Sequence, residues 1–419
     1  MSEKNLPFTS EQLEYIIRDF PTPFHIYDEQ SIIVTAQAIN NAFSWCEGFK
    51  QFFAVKATPN PSILKILSRQ GFGADCSSLP ELMIAEKCGV YGKNIMFTSN
   101  NTPKEEYKKA MELGAIINID DISHIKLLEE ELGLPDLMCL RYNPGQIKSG
   151  NTFLGEPENS KFGMTKAQLF EGYRMLKEKG VSRFGLHTMI STQVLDANYF
   201  VDTARRLFEL VIEISSECNI QFEFVNIGGG IGIPYSLDEK AVDIHSVGYG
   251  IKRAYEKVIL ANNYPTIKIY TEFGRVVTGP SGYFVSKVLH KKKTYKQYIG
   301  VDASMANLMR IGMYGLYHYI TVMGKEHLPT NMTYDITGSL CENNDRFAIN
   351  RKLPEIEVGD TIVIHDTGAH GFAMGFNYNG KLRSKELLLR PNGEVIQIRR
   401  AETVDDYFST LNFNVLSKL

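Results

Sequence analysis

The chain has 419 residues, 43% of them hydrophobic, and its 45 Lys and Arg are balanced by 48 Asp and Glu for a net charge of −3. The two signs are interspersed, which argues against a nucleic-acid footprint or a membrane-surface patch, and no apolar run approaches the roughly 18 residues of a membrane span. The length suits two domains, or one barrel of roughly 250 residues with an appendage. Residues 1–12 lack the basic-then-apolar order of a signal peptide, so a cytoplasmic location is expected. The six cysteines show no CxxC spacing, so neither a metal site nor a disulfide framework is expected.

Short β-branched and aromatic runs at 24–27, 52–56, 95–98, 115–119, 138–143, 184–187, 222–227 and 267–272 read as strands. Amphipathic helical patterns at 61–70, 79–87, 104–113 and 198–218 lie between them. This alternation implies a parallel sheet with helices outside it, either a closed (β/α)8 TIM-type barrel or an open doubly wound sheet. After about residue 281 the rhythm changes. Runs at 283–289, 297–302, 318–322, 334–337, 361–366, 386–390 and 394–399 are strand-like with little helix, and Pro391-Asn392-Gly393 is a hairpin turn. The expected organisation is an N-terminal segment 1–28 joining the C-terminal part, an α/β barrel over 29–281, and an antiparallel β-sandwich or barrel domain over 282–419.

Two motifs carry chemistry on their own residues. Lys56 ends the apolar run Phe53-Ala54-Val55-Lys56-Ala57, and barrels place their chemistry at strand C-termini. An amine in such a partly apolar place is expected to have a lowered pKa and to attack an aldehyde; a solvated surface lysine is the plain alternative. Gly228-Gly229-Gly230-Ile231-Gly232 follows the run at 222–227. Glycines allow successive backbone N–H groups to converge on an anion, though the same run also makes an ordinary turn. It lacks the lysine and hydroxyl of a nucleotide-triphosphate loop.

With Glu272-Phe273-Gly274-Arg275, Asp75-Cys76-Ser77-Ser78 and Gly338-Ser339-Leu340-Cys341-Glu342-Asn343-Asn344-Asp345, these stretches resemble the pyridoxal-phosphate amino-acid decarboxylases of the alanine-racemase-type barrel. Within that group the chain is most similar to the diaminopimelate decarboxylases, from about residue 23 to about 401. The resemblance decides for the closed barrel and implies pyridoxal 5'-phosphate on Lys56, with Asp75 nearby and Gly228, Gly229 and Gly230 at the phosphate. Asp75 could equally cap the next helix. Glu272 would face the pyridine nitrogen and keep it protonated, which favours decarboxylation over racemisation; an ordinary ion pair between Glu272 and Arg275 is the bland reading. Gly274 and Arg275 complete the cofactor side. Cys341 would supply a proton after CO2 leaves, and Glu342 would hold the distal amine of a diamino substrate. Arg310 and Tyr314, downstream of Asp302-Ala303-Ser304-Met305, match the segment that binds the far end of the substrate, where a guanidinium suits a second carboxylate. Arg310 could instead pair with a structural acid. The resemblance also implies a homodimer in which the Cys341 loop enters the neighbouring barrel.

The pattern departs from the family in several places. Met189 replaces the histidine that stacks on the cofactor ring, Phe273 replaces a proline, and His370 replaces a tyrosine in Gly368-Ala369-His370-Gly371. Residues 150–155 stand where a His and a Thr-Gly are usual. The resemblance therefore implies decarboxylation of meso-diaminopimelate at its D-centre to L-lysine. The departures leave open a different basic amino acid, such as D-lysine or D-ornithine, and a catalytically silent regulatory relative.

Overall fold

The computed structural model describes residues 4–145 and 157–419, so the unusual stretch at 150–155 lies outside the described residues. The chain divides into two compact units. One comprises Ser31–Pro234 and Lys240–Val277; the other comprises Met1–Gln30, Tyr235–Glu239 and Thr278–Leu419. Among the described residues no helix is long and apolar enough to cross a membrane.

After strand β1 (Phe24–Asp28), the first unit holds β2 (Lys50–Ala54), β3 (Gly73–Cys76), β4 (Ile95–Ser99), β5 (Ile116–Ile119), β6 (Leu137–Tyr142), β7 (Arg183–Thr188), β8 (Phe222–Asn226) and β9 (Lys268–Thr271). Neighbours run parallel, and β2 closes on β9 through the register Lys50↔Tyr270 and Gln51↔Thr271. The alternating pattern is thus a closed barrel and not an open sheet. Helices between the strands begin where their caps predict. Asn60 accepts the Ser62 N–H at the start of Pro61–Arg69, and Thr165 with Gln168 forms a capping box before Lys166–Glu178. The barrel interior is plugged by Phe52, Met96, Ile116, Cys139, Phe224 and Tyr270. Phe224 and Tyr270 stack at 4.4 Å. Gly185 on β7 makes room for this pair, since a Cβ there would lie 2.1 Å from the Phe224 ring.

The second unit contains β1 together with β10 (Gly282–Lys293), β11 (Gln297–Val301), β12 (Ile320–Val322), β13 (Met332–Thr337), β14 (Arg346–Leu353), β15 (Thr361–Ile364), β16 (Lys385–Leu389) and β17 (Val395–Arg399). They form a mostly antiparallel sheet in the order β14-β13-β11-β10-β1-β16-β17, with β15 on β10 and β12 on β15. The N-terminal strand sits inside it, antiparallel to β10 and parallel to β16. Apolar side chains cover both faces. Phe284, Val301, Ile336 and Phe347 belong to one cluster; Leu13, Ile16, Phe24, Val285 and Leu387 belong to the other. The helix Ser10–Asp19 contributes Leu13 and Ile16 from its buried stripe.

Candidate active site

The polar side chains of the barrel gather at the C-terminal ends of its strands, where this architecture places chemistry. Lys56 lies in the single 3-10 turn Val55–Ala57 directly after β2. Its Nζ is 3.2 Å from Asp75 Oδ2 on β3, with the lysine side chain 54% exposed and the acid 1% exposed. The amine is therefore reachable while its partner is sealed in. The expectation of a lowered lysine pKa is overturned. The Asp75 carboxylate pushes the ammonium up, aided by Glu272 and Glu81, and outweighs the opposing effect of burial. Burial and then Glu272 raise Asp75 to about 7, against the pull of Lys56. Nor does Asp75 cap a helix: Ser78 holds the N-cap position of Leu79–Lys87.

Glu272 follows β9 and is pinned at both oxygens. His187 Nε2 on β7 lies 3.1 Å from Oε2, and Asn226 Nδ2 on β8 donates to Oε1 at 2.7 Å. Burial pushes this carboxyl up, but His187, then Lys56 and Arg141, overcome it and hold Glu272 below its ordinary range. The acid is thus kept ionised in a buried place. Behind it, Gln51 joins β2 to the end of β9. Its Oε1 accepts from Thr271 Oγ1 at 2.5 Å and from Phe273 N at 3.1 Å, and its Nε2 donates to Phe273 O at 2.7 Å. A proline at 273 could not supply that N–H, so the departure at Phe273 comes with its own anchor.

The glycine run is explained first by packing. A Cβ on Gly228, Gly229 or Gly230 would lie 2.3, 2.5 and 2.3 Å from the carbonyl oxygens of Thr188, Glu272 and Ser191. Its amides do not all converge on one point. Gly228 N–H donates to Asn226 Oδ1 at 2.9 Å, and Gly229 N–H to the Met189 sulfur at 3.2 Å. Gly274, expected beside the cofactor, also has a packing reason: its Cβ would meet those of Ala57 and Ala54 at 2.9 and 3.0 Å. The small residues flanking Lys56 thus seat the end of β9. Arg275 Nη2 reaches Thr192 Oγ1 at 3.4 Å.

The remaining expected site residues belong to the second unit. Arg310 opens the short helix Arg310–Tyr314, is 4% exposed, and donates from Nη1 to Tyr235 Oη at 2.7 Å. Tyr314, one turn further, is 49% exposed. Cys341 is exposed, its N–H bonded to Asn379 Oδ1 at 2.6 Å, and Glu342 Oε1 accepts the Asn344 N–H at 3.0 Å. Asp345 fixes this loop by accepting the Leu340 and Met305 amides at 2.7 and 2.6 Å. His370 is half-buried with φ of 57°, in the left-handed region.

Sequence reasoning gave no role to Gln51, Asp120, Arg141 or Asn226, which occur in no short motif. Arg141 is buried, paired with Asp120 at 3.0 Å, and donates to the Met189 carbonyl at 3.2 Å. Asp120, Arg141 and Asn226 offered only the signal of a polar residue at or just past the end of an apolar strand, and Gln51, the second residue of β2, offered none.

An anionic, aldehyde-bearing cofactor fits these residues. Among the described residues, Asp75 Oδ1 and His187 Nδ1 are buried without a hydrogen-bond partner, and the glycine run offers backbone free of side chains at the end of β8. A barrel that presents an amine at its strand ends in this way is an enzyme fold suited to covalent capture of a carbonyl compound.

Residues 29–279 match the family described as pyridoxal-dependent decarboxylase, pyridoxal binding domain. The chain is 42% identical to Protein TabA of Pseudomonas amygdali pv. tabaci, covering 94% of this chain and 92% of that one. It is 32% identical to the diaminopimelate decarboxylase of Methanothermobacter thermautotrophicus, over 93% and 91% of the two chains. The solved diaminopimelate decarboxylase of M. jannaschii in co-complex with L-lysine superimposes with a TM-score of 0.88 at 31% identity, covering 95% of this chain and 94% of that one. The chain belongs to the pyridoxal-dependent decarboxylase family. It is a carboxy-lyase of amino acids whose cofactor is pyridoxal 5'-phosphate.

Proposed function

We propose that the substrate is meso-2,6-diaminopimelate, decarboxylated at its D-centre to L-lysine and CO2. When bound, pyridoxal phosphate supplies an electron sink for the pair released as the carboxyl group departs. Lys56 Nζ would hold the cofactor through its aldehyde, and Asp75, at 3.2 Å from that nitrogen, would hold its proton. The observation that carries the decarboxylase chemistry is the Glu272 carboxylate, fixed at its two oxygens by His187 and Asn226, which would hold a proton on the ring nitrogen and deepen the sink. Gly228, Gly229 and Gly230 would hold the phosphate, and Gly274, Arg275, Met189 and His370 are the further candidates for contact with the cofactor.

Substrate recognition follows from charge. Arg275, Arg310 and Tyr314 are each candidates for the distal carboxylate and Glu342 for the distal ammonium, while the Cys341 thiol would deliver a proton to the carbon that lost CO2. In this reading the Cys341 loop serves the barrel of a second copy, so the working enzyme is a homodimer.

A second reading keeps the reaction but replaces the substrate by a basic amino acid with one carboxylate. It is favoured by the departures from the family pattern at Met189 and His370. The test is CO2 release, with added pyridoxal phosphate, from meso-diaminopimelate beside D-lysine, D-ornithine, L-ornithine and L-arginine, for the native enzyme and Arg310→Ala. Preference for diaminopimelate, with Arg310→Ala losing about 100-fold in kcat/KM on it and far less on D-lysine, supports the first reading. Equal losses on both, or a preference for a monocarboxylate, would overturn it.

A further inference from the structure

We propose that Met189 sets the cofactor affinity of this barrel, because its sulfur and the cofactor's phosphate compete for the Gly229 amide. The inference rests on reading the glycine run as the phosphate site.

Met189 directly follows β7 and is held at both ends. Its carbonyl accepts Arg141 Nη2 at 3.2 Å. Arg141 is itself fixed by Asp120 at 3.0 Å, with side-chain exposures of 9% and 4%, and the other Asp120 oxygen accepts the Gly163 N–H at 3.1 Å. This buried ion pair fixes the backbone from which the thioether extends. The sulfur accepts the N–H of buried Gly229 at 3.2 Å, and a Cβ on Gly228 would lie at that same distance from it. The side chain therefore rests on the first two glycines of the run.

A thioether is a weak acceptor, whereas a phosphate oxygen makes a charge-assisted bond to the same amide. A buried N–H left without any partner is costly. The sulfur thus satisfies Gly229 when no anion is present and yields the amide when one arrives. Stabilising the free state in this way weakens binding by the corresponding amount. Competition for the amide concerns the phosphate, whereas packing of residue 189 on the ring would act on pyridoxal and pyridoxal phosphate alike, so the ratio of the two affinities isolates it.

Met189→Leu removes the acceptor while conserving apolar volume; Met189→Gln replaces it with a stronger one. Dissociation constants of pyridoxal phosphate and of phosphate-free pyridoxal are measured for the native chain and both variants by cofactor absorbance, with melting temperatures of the free and loaded proteins. Met189→Leu is expected to bind pyridoxal phosphate about 5- to 10-fold more tightly relative to pyridoxal, whose affinity reads any change in how residue 189 packs beside the ring. Met189→Gln is expected to bind pyridoxal phosphate more weakly by the same measure. The free Met189→Leu protein should melt below the free native protein, and the difference should shrink when both are loaded. An equal ratio of the two affinities in the native and Met189→Leu proteins, or an equal loss of melting temperature in both states, would overturn the proposal alone. A native chain whose affinities for pyridoxal phosphate and pyridoxal are the same would overturn the phosphate reading of the glycine run together with the proposal.

Discussion

A protonated amine cannot attack an aldehyde, and Asp75 at 3.2 Å holds Lys56 in that protonated form. Each shifts the other's titration: the acid is raised to about 7, chiefly by burial and against the pull of Lys56, and the amine is raised above its ordinary value, chiefly by Asp75. Asp75→Asn removes the largest cause of the raised lysine pKa, so the amine should lose its proton at lower pH. Covalent capture of pyridoxal phosphate, followed by visible absorbance against pH, should have its midpoint moved down by at least one unit in this variant; an unmoved midpoint would show that Asp75 does not govern the amine. Lys56, Glu272 and the glycine run were legible in the sequence because each ends or follows an apolar run. The direction of the Lys56 shift was not, because it depends on a partner that also had a plausible role as a helix cap. The packing of Gly274 was not legible either: its neighbours are the two alanines beside Lys56, which only the folded barrel brings near.

At the scale of elements, the barrel depends on contacts between strands remote in sequence. Phe224 fits only because β7 carries Gly185. Gly185→Ala should force the ring aside and cost about 3 kcal/mol or more, since overpacking of a filled core is poorly tolerated. Urea unfolding would measure it, and Phe224→Leu in the same chain should recover part of the loss through the shared space. A stability equal to the native chain would show that the interior can open. Most barrel strands were legible from β-branched and aromatic runs, but β3, which carries Asp75, reads Gly-Ala-Asp-Cys and has none. Gln51 was equally silent. It bonds across the closure between β2 and the end of β9, a partnership spanning most of the barrel sequence.

On the scale of the whole molecule, the change of rhythm near residue 281 lies beside Thr278, where the long segment of the β-rich unit begins, while β1 pairs with β10 and β16 although its run reads like the barrel strands after it. The placement of Tyr235–Glu239 with the β-rich unit was not legible, because nothing local distinguishes that segment from a barrel loop. The β-rich unit also holds buried neutral histidines. Burial lowers His25 to about 4, against Glu386, and lowers His365 to about 3, with Lys4 adding. Unfolded, each would take up a proton near pH 6.5, so the folded state binds fewer protons between about pH 6.5 and 4. Their contribution is intact above pH 6.5 and is lost as pH falls towards 4. Asp366, raised by burial to about 6 despite Lys4, runs the other way and offsets one of the two protons. His25→Gln should therefore flatten the acid loss of protection of the β10 and β15 amides in hydrogen exchange, and an unchanged pH profile would remove His25 from the account.

The insertion of β1 between β10 and β16 bears on the order in which the chain is made. Phe24 pairs with Lys385, so at roughly 5–20 residues per second a nascent chain leaves β1 without that neighbour for ~20–70 s. Every barrel strand emerges in that interval. On the ribosome the barrel can close first, while the N-terminal strand remains an exposed edge in need of a chaperone or a quick finish.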